Sequence, residues 1–381
     1  MYPLHEVSDV LQRNIHRIEE ITANSWQLRT LHALASCRTA KLGGHLDKCN
    51  NDKCNHIHIS YNSCRNRHCP KCQGNKQQQW IQAREKELIN VSYYHIVFTI
   101  PSELNPIALY APRKLYSLLF KTAWSVIKGF ASNPKFLGAQ TGMISILHTW
   151  GQNLSLHPHI HCIVPGGGIT QNNKWKQAKG KGKFLFPVKA MSKVFRARFA
   201  EGLRKEFTLD DKLFKKLFSK NWVVYSKRPF YGPAQVIEYI GRYTHKIAIS
   251  NHRIQNIEEG KVIFTARDYR HGGRKHLVSL TDQEFIRRFS QHILPKGFPK
   301  IRYYGILSNT SKGKIIPILQ EELGKINLPE RVGVKHNICP VCKTGELITI
   351  MTFKGGRDPP SKAQLQALVR DILQRRKKLT L

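Results

Sequence analysis

The stretch HPHIHCIV, residues 157–164, carries the residue types in this chain best suited to chemistry. It sets His157, His159 and His161 at alternate positions. Successive side chains of a β-strand point to opposite faces, so the three imidazoles would share one face of a sheet. Imidazoles crowded in this way are typical of a metal site or of a site that handles a phosphate.

His159 and His161 would present two ring nitrogens to one divalent ion, and a third ligand must come from elsewhere. The preceding antiparallel strand can supply it, because cross-strand neighbours lie about 5 Å apart. Gln152 and His148 are the candidates on that side, and His157 is the local alternative. The histidines could instead simply line a sheet surface, but three in alternation within a hairpin favour the metal site.

A second candidate for chemistry is the helix predicted to begin in GPAQVIEYIGRYTHKI, which has a proline in its first turn. Tyr239 and Tyr243 are four residues apart and would stack on one face, with Lys246 on the same flank. The pair could pack with its hydroxyls in water. Beside a metal, a tyrosine would instead attack a phosphodiester, form a covalent phosphotyrosine and free a 3′-hydroxyl. The covalent link would let the strand be rejoined without ATP.

The charge of the chain indicates a polyanionic partner. There are 62 lysines and arginines against 25 acidic residues, which gives a net charge of +37. Nucleic acid is the first candidate and an anionic membrane surface is the second. A hydrophobic content of 41% predicts a globular chain. No apolar run approaches the length of a membrane span, and MYPLHEVSDV lacks the pattern of a signal peptide, so we expect neither.

Six of the nine cysteines fall between Cys37 and Cys72, among histidines. In a chain expected to be cytoplasmic, such clustering indicates metal ligands before disulfides. The predicted ribbon-like zinc site consists of Cys49, Cys54, Cys69 and Cys72, and the predicted second site consists of Cys37, His45, Cys64 and His68.

Basic residues between these cysteines, namely Arg65, Arg67 and Lys71, indicate that the module also contacts DNA phosphates. Near the C-terminus, Cys339 and Cys342 in HNICPVCKTGEL form half of a possible second zinc knuckle. His336 could be a third ligand, and the sequence shows no fourth partner for them.

Short strands and amphipathic helices must position these residues. Strands are predicted at 93–100, 143–150 and 157–165, and the last two form an antiparallel hairpin. Amphipathic helices are predicted before the cysteine cluster, at 112–131 and at 188–207. The predicted class is α+β, an antiparallel sheet with flanking helices plus a small N-terminal zinc-binding module.

Three motifs, LHTWGQNLSLHPHIHCIVPGGG, YIGRYTHKIAISNHR and YNSCRNRHCPKCQ, carry a resemblance to a known family. Over roughly residues 10–310 the chain resembles the rolling-circle transposases of the insertion-sequence-91 family. These are two-tyrosine members of the His-hydrophobic-His (HUH) endonucleases. The resemblance maps the metal pair onto His159 and His161 and the nucleophiles onto Tyr239 and Tyr243. It favours Gln152 over His148 as the third ligand, because related endonucleases place a polar ligand about this far upstream.

The resemblance also implies a DNA transposase that uses Mg²⁺ or Mn²⁺ for catalysis and Zn²⁺ in an N-terminal zinc-binding domain. Its expected partners are single-stranded transposon ends, DNA hairpins and target DNA. No phosphate-binding Gly-Lys-Ser/Thr loop is present, so strands would be separated by a host helicase, by replication proteins or by DNA structure. We expect a cytoplasmic, nucleoid-associated protein of bacterial type, without membrane contact.

The expected domains are a helical and zinc-binding region at 1–90, an HUH-type nuclease domain at 91–255 and a basic C-terminal region at 256–381. Three other functions stay open at this point. A histidine-triad nucleotide hydrolase fits the alternating histidines but explains neither the charge nor the cysteines. A zinc-dependent DNA- or RNA-binding regulator without catalysis leaves the hairpin unused. A plasmid replication initiator or relaxase would share the chemistry and differ only in its DNA substrate.

Overall fold

The computed structural model describes residues 3–54, 56–179, 184–227, 236, 241, 246–268, 272–324, 326, 337–356 and 361–377. The chain divides into two compact units. The terminal unit combines Met1–Cys72 with Pro329–Leu381, and the central unit is Gln73–Leu328. This division differs from the predicted boundaries at residues 90 and 255. The region beyond 255 is shared between the two units, because its strands pair with earlier strands of each.

Runs of helices and runs of strands follow one another along the chain. The helices are α1 (Val7–Arg13), α2 (Ile18–Ile21), α3 (Ser25–Ala35), α4 (Gln73–Glu85), α5 (Asn105–Tyr110), α6 (Pro112–Ser132), α7 (Val188–Glu206), α8 (Asp211–Phe218), α9 (Asp282–Ser290), α10 (Lys312–Leu323) and α11 (Lys362–Lys377). The strands are β1 (Gly44–Cys49), β2 (Ile57–Tyr61), β3 (Tyr93–Thr99), β4 (Gly142–Trp150), β5 (Leu156–Pro165), β6 (Gly167–Ile169), β7 (Trp175–Gln177), β8 (Val224–Lys227), β9 (Ile254–Glu258), β10 (Lys261–Asp268), β11 (Arg274–Thr281), β12 (Ile301–Gly305) and β13 (Leu347–Phe353).

The terminal unit is built on a three-stranded antiparallel sheet of order β13-β1-β2. A buried carboxylate ties all three strands together. Asp47 on β1 accepts hydrogen bonds from Ser60 on β2 at 2.9 Å and from Thr349 on β13 at 2.7 Å. The strand nearest the C-terminus is therefore an integral part of the N-terminal module.

The central unit contains a five-stranded sheet of order β12-β4-β5-β3-β8 in which neighbouring strands are antiparallel. The predicted hairpin is present as β4 and β5. Helices α6 and α7 flank this sheet, so the predicted α+β class with an antiparallel sheet is confirmed. None of the helices in the described ranges is long and apolar enough for a membrane crossing.

The two faces of the five-stranded sheet carry different residues, because side chains alternate along each strand. On β4, Met143 and Leu147 join the larger core, which includes residues of α6 and α7. Ile144 and Ile146 point the other way, into a second core that also holds Ile163 of β5. His148 follows Ile146 on this second face, so the histidines of the hairpin lie at the end of a buried apolar surface.

A smaller antiparallel sheet of order β11-β10-β9 lies in the same unit. Helix α9 packs on it through Phe285, whose ring lies 6.0 Å from that of Phe264. Helix α9 begins where Thr281 accepts a hydrogen bond from the Glu284 amide, a standard N-terminal cap. Arg253, just before β9, and Arg288 of α9 contact the turn that joins β4 to β5.

Candidate metal centres

The hairpin brings three imidazoles together on one face of the central sheet. His148 of β4 lies directly opposite His159 of β5, and Ile146 lies opposite His161. One ring nitrogen of each histidine lies within 4.8 Å of those of the other two. Three nitrogens at this separation can bind one metal ion, and His148 is the residue that completes the set.

The environment favours the neutral form of His159 and His161 near pH 7. Desolvation lowers the pKa of His159 to about 4, and desolvation with the nearby His148 and His159 lowers the pKa of His161 well below its usual value. The His159 Nδ1 atom donates to the His157 carbonyl oxygen at 2.6 Å, which leaves its Nε2 lone pair for a ligand. Neutral rings with a fixed tautomer are suited to metal ligation.

His95 is a member of this group that the sequence analysis missed. It lies on β3, is 4% exposed, and its Nε2 atom is 2.8 Å from the Nδ1 atom of His161. Val97 of β3 lies directly opposite His161. His95 is two residues before Val97, so its side chain lies on the same face of the sheet as the hairpin histidines. Alternation along YYHIVFT places His95 and Thr99 on one face, but only the pairing of β3 with β5 shows that this is the face of the hairpin histidines.

The other residues predicted for the metal site lie around this group. Gln152 is in the turn after β4, and His157 is exposed near the start of β5. The side chain of Lys246 is exposed. Partial desolvation of its ammonium group nevertheless lowers the pKa of Lys246, and the positive charges of Arg253 and Arg267 lower it further. Tyr239 and Tyr243 lie outside the described residues.

The turn between β4 and β5 is held by three side chains, one just before β9, one in α9 and one just after α9. Arg253 donates to the carbonyl oxygen of Gln152, and Arg288 donates to that of Asn153 at 3.1 Å. His292 donates to the carbonyl oxygen of Leu154 at 3.0 Å, and Leu154 itself has a left-handed φ of 61°. These bonds fix an unfavourable backbone conformation beside the histidines.

In the terminal unit, eight cysteines form two groups of four in which the sulfurs lie within 4.8 Å of one another. The groups are Cys37, Cys64, Cys69 and Cys72, called here site A, and Cys49, Cys54, Cys339 and Cys342, called site B. Zn–S bonds of about 2.3 Å in a tetrahedron separate the sulfurs by about 3.8 Å. The measured separations in site A, 3.5 to 3.7 Å, suit this geometry.

This arrangement corrects the predicted partition of the ligands. Cys49 ends β1, and Cys54 lies in the connection from β1 to β2. These two cysteines lie beside Cys339 and Cys342, whereas Cys69 and Cys72 lie beside Cys37. Neither predicted histidine belongs to a group within the described ranges. His45 instead contacts the carboxylate of Asp47 at 3.2 Å, and His68 lies 3.4 Å from the Arg67 Nε atom. His336 lies outside the described residues.

The basic residues near site A differ in their surroundings. Lys71 pairs with Glu6 at 2.6 Å, and its carbonyl oxygen accepts a hydrogen bond from Arg38. Burial lowers the pKa of the Arg67 guanidinium group. Arg65 has an exposed side chain on a left-handed backbone position, with a φ of 51°. Arg65 is thus the most accessible of the three predicted DNA contacts.

Comparisons with known proteins agree with both the zinc module and the hairpin. A family model described as "Transposase zinc-binding domain" matches residues 9–100, and one described as "Putative transposase" matches residues 142–314. The chain is 40% identical to "Putative transposase y4qJ" of Sinorhizobium fredii (strain NBRC 101917 / NGR234) over 391 aligned positions, which cover 93% of this chain and 97% of that one. The chain belongs to the insertion-sequence-91 (IS91) family of transposases.

This IS91-family transposase is also 28% identical to "Transposase for insertion sequence element IS801" of Pseudomonas savastanoi pv. phaseolicola. That alignment spans 338 residues, 84% of this chain and 80% of the other. No solved structure matches the chain. The resemblance found in the three motifs is confirmed: the transposase is an enzyme that acts on DNA, and its N-terminal module is a zinc-binding domain with structural Zn²⁺.

Proposed function

We propose that this transposase nicks and rejoins single-stranded transposon ends through a 5′-phosphotyrosine intermediate, in transposition of the rolling-circle type. The observation that carries the proposal is the group of His148, His159 and His161 on one sheet face, with ring nitrogens within 4.8 Å of one another. A divalent ion bound there would polarise a phosphodiester as a Lewis acid. Mg²⁺ and Mn²⁺ are the proposed ions.

The donor set bears on the choice between these two ions. Mg²⁺ strongly prefers oxygen ligands, whereas imidazole nitrogen suits transition metals. His159 and His161 each have Nδ1 engaged, with the His157 carbonyl oxygen and with His95 respectively. In each ring the other nitrogen, Nε2, would be the ligand atom. Because the donors are imidazole nitrogens, we propose that Mn²⁺ binds more tightly than Mg²⁺.

We propose Tyr239 and Tyr243 as nucleophiles. Described residues close to them in sequence support this assignment. Val236 is buried in the same core as Ile146 and Ile163, on the histidine face of the sheet. Lys246, three residues after Tyr243, carries a charge that contributes to the lowered pKa values of His159 and His161.

In the proposed reaction, the phenolate oxygen of one tyrosine attacks the phosphorus, and the bond from phosphorus to the 3′-oxygen breaks. The 3′-oxygen leaves and takes up a proton, while the downstream strand keeps its 5′-phosphate on the tyrosine. Lys246 would balance negative charge that develops on the phosphate oxygens. A 3′-hydroxyl later attacks the phosphotyrosine and releases the tyrosine, so no ATP is needed. The second tyrosine would allow a second cleavage before the first link is resolved.

The terminal unit would hold the transposase on its DNA. We propose that Cys37, Cys64, Cys69 and Cys72 bind the zinc of the N-terminal module. Arg65 and Arg67 would contact the DNA backbone, with Lys71 as a third contact whose pairing with Glu6 must first open. Strand separation would come from a host helicase, from replication proteins or from hairpins in the transposon end.

A denaturing gel tests the nuclease mechanism. The full chain is incubated with single-stranded DNA from its own flanking transposon ends, with Mn²⁺, Mg²⁺ or EDTA. Oligonucleotides labelled at the 3′ end should give a metal-dependent labelled adduct, and the same oligonucleotides labelled at the 5′ end should give only a shortened free strand. Peptide mapping of the adduct should find the label on Tyr239 or Tyr243.

The variant with both Tyr239→Phe and Tyr243→Phe should bind the DNA but form no adduct. Tyr225→Phe is the matched control, because Tyr225 is an exposed tyrosine of the central unit on β8, and it should leave the adduct unchanged. An adduct that survives in the double variant, or one that retains the 5′ label, would overturn the proposal. DNA binding without any adduct on every end sequence would favour a regulator.

A further inference from the structure

Site B joins residues that are nearly 300 positions apart in the chain. The Cys49 sulfur lies 3.6 Å from that of Cys342, and the Cys54 sulfur lies 3.7 Å from that of Cys339. A disulfide would require about 2.05 Å. A tetrahedral zinc–thiolate site separates its sulfurs by about 3.8 Å, so the group has the dimensions of a metal site.

Backbone amides around site B are directed at the sulfurs, as a thiolate requires. The Asn51 amide donates to the Cys49 sulfur at 3.4 Å, and the Gly345 amide donates to the Cys342 sulfur at 3.3 Å. A Cβ atom at Gly345 would lie 2.5 Å from the Cys49 sulfur, so a glycine is needed at this close approach. Lys343, just after the knuckle cysteines, has a left-handed φ of 59°.

The sheet of the terminal unit holds the two halves of site B in register. Cys49 at the end of β1 lies opposite Leu347 at the start of β13. Beyond that pair, the Asn50 amide donates to the Glu346 carbonyl oxygen at 2.9 Å, and the Glu346 amide donates to the Asn50 side chain at 2.7 Å. The two cysteine-bearing turns are thus fixed to each other by the backbone as well as by the sulfurs.

We propose that Cys49, Cys54, Cys339 and Cys342 bind a second zinc ion, of which each end of the chain supplies two ligands. The zinc-binding family model covers residues 9–100, so half of this ligand set lies outside it. The zinc would add a second link to the strand pairing that already joins β13 to β1. This inference does not depend on the tyrosine mechanism.

Metal analysis of the full chain tests the second site. The full chain with His148→Ala and His159→Ala, in which the histidine group of the central unit cannot hold zinc, is purified with zinc in excess and then desalted. It should contain two zinc ions per chain by mass spectrometry of the metal. Added to this histidine-substituted chain, Cys339→Ser with Cys342→Ser should leave one zinc ion, and so should the site A change Cys64→Ser with Cys69→Ser. Cys162→Ser is the control, because this thiol is buried in the central unit on β5, and it should keep two.

A second readout separates loss of the site from general unfolding. Hydrogen exchange in the double serine variant of site B should rise in β1 and β13 and stay unchanged in β4 and β5. Co²⁺ added to the metal-free wild-type chain should reach two ions per chain with the absorption of tetrathiolate cobalt. One zinc in the histidine-substituted chain, two in the site B variant of that chain, or iron in place of zinc would overturn the assignment.

Discussion

The Nε2 atom of His95 lies 2.8 Å from the Nδ1 atom of His161, and the two rings are nearly parallel, with an angle of 11° between their planes and their centroids 5.1 Å apart. Both residues are nearly inaccessible to solvent. If His161 binds the ion through Nε2, its Nδ1–H must donate to His95, whose Nε2 accepts. The bond would then fix the tautomer and the direction of the ligand ring, as outer partners of metal-bound histidines do.

His95→Ala should weaken binding of Mn²⁺ to the central unit about 10- to 100-fold, because the His161 ring loses the partner that orients it. His95→Gln can place its amide oxygen near the lost Nε2 position and should restore part of the affinity. Electron paramagnetic resonance of free Mn²⁺ in a titration of the protein measures this without DNA or turnover.

His276→Ala is the control for His95, because His276 is an exposed histidine on β11 of the same unit. This variant should bind Mn²⁺ as the wild type does. Equal Mn²⁺ affinity of the His95→Ala variant and the wild type, with an intact fold by circular dichroism, would show that His95 does not position a ligand.

The identity of the third ligand gives a second prediction. His148 lies opposite His159 with its ring nitrogen in the group, whereas Gln152 is in the turn beyond β4. His148→Ala should therefore lower the Mn²⁺ affinity far more than Gln152→Ala, by at least about tenfold. Isothermal titration of both variants compares them directly, and a larger loss in Gln152→Ala would return the preference to glutamine.

Acid should destabilise the central unit through His292. Its Nε2–H donates to Leu154 and its Nδ1 accepts from the Thr149 hydroxyl at 3.2 Å, while burial lowers its pKa to about 4. The unfolded chain, with a histidine pKa near 6.5, binds more protons between these values. The shifted pKa of His292 thus contributes about 3 kcal/mol to the free energy of unfolding. This contribution is complete above about pH 6.5 and is lost as the pH falls toward 4.

Urea unfolding of the wild type and of His292→Gln between pH 7.5 and 4.5 measures this effect. The variant should be less stable at pH 7.5, and the difference between the two proteins should shrink as the pH falls. Comparison with the variant removes the contribution of His95 and His159, whose pKa values are also about 4. A difference that stays constant with pH would contradict the assignment.

Gly305 should be intolerant of a side chain. It ends β12 with a φ of 59°, and a Cβ atom there would overlap the carbonyl oxygen of Thr141 and press on Trp124. Gly305→Ala should lower the free energy of unfolding by about 3 kcal/mol, because both the backbone conformation and the contact are unfavourable. Gly313→Ala in α10 has open space around it and should change stability by less than about 1 kcal/mol. Thermal unfolding of both variants checks the contrast.

Much of this protein follows from patterns that are local in sequence. The alternation of His157, His159 and His161 predicts a strand with a shared face, since the two-residue period is a property of extended backbone. The hairpin, the α+β class and the zinc-binding module are likewise visible in short windows. The excess of basic residues points to DNA by composition alone.

Tertiary structure decided the relationships between distant segments. The resemblance to related endonucleases favours Gln152, whereas the register of β4 against β5 sets His148 beside His159. The pairing of β3 with β5 brings in His95. The sequence groups Cys49 and Cys54 with Cys69 and Cys72, but β13 pairs with β1 and so places Cys339 and Cys342, just before β13, beside Cys49 and Cys54. Metal ligands must be close in space but not in sequence. Which distant ligands come together depends on strand pairing, and the spacing of residues along the chain does not show that pairing.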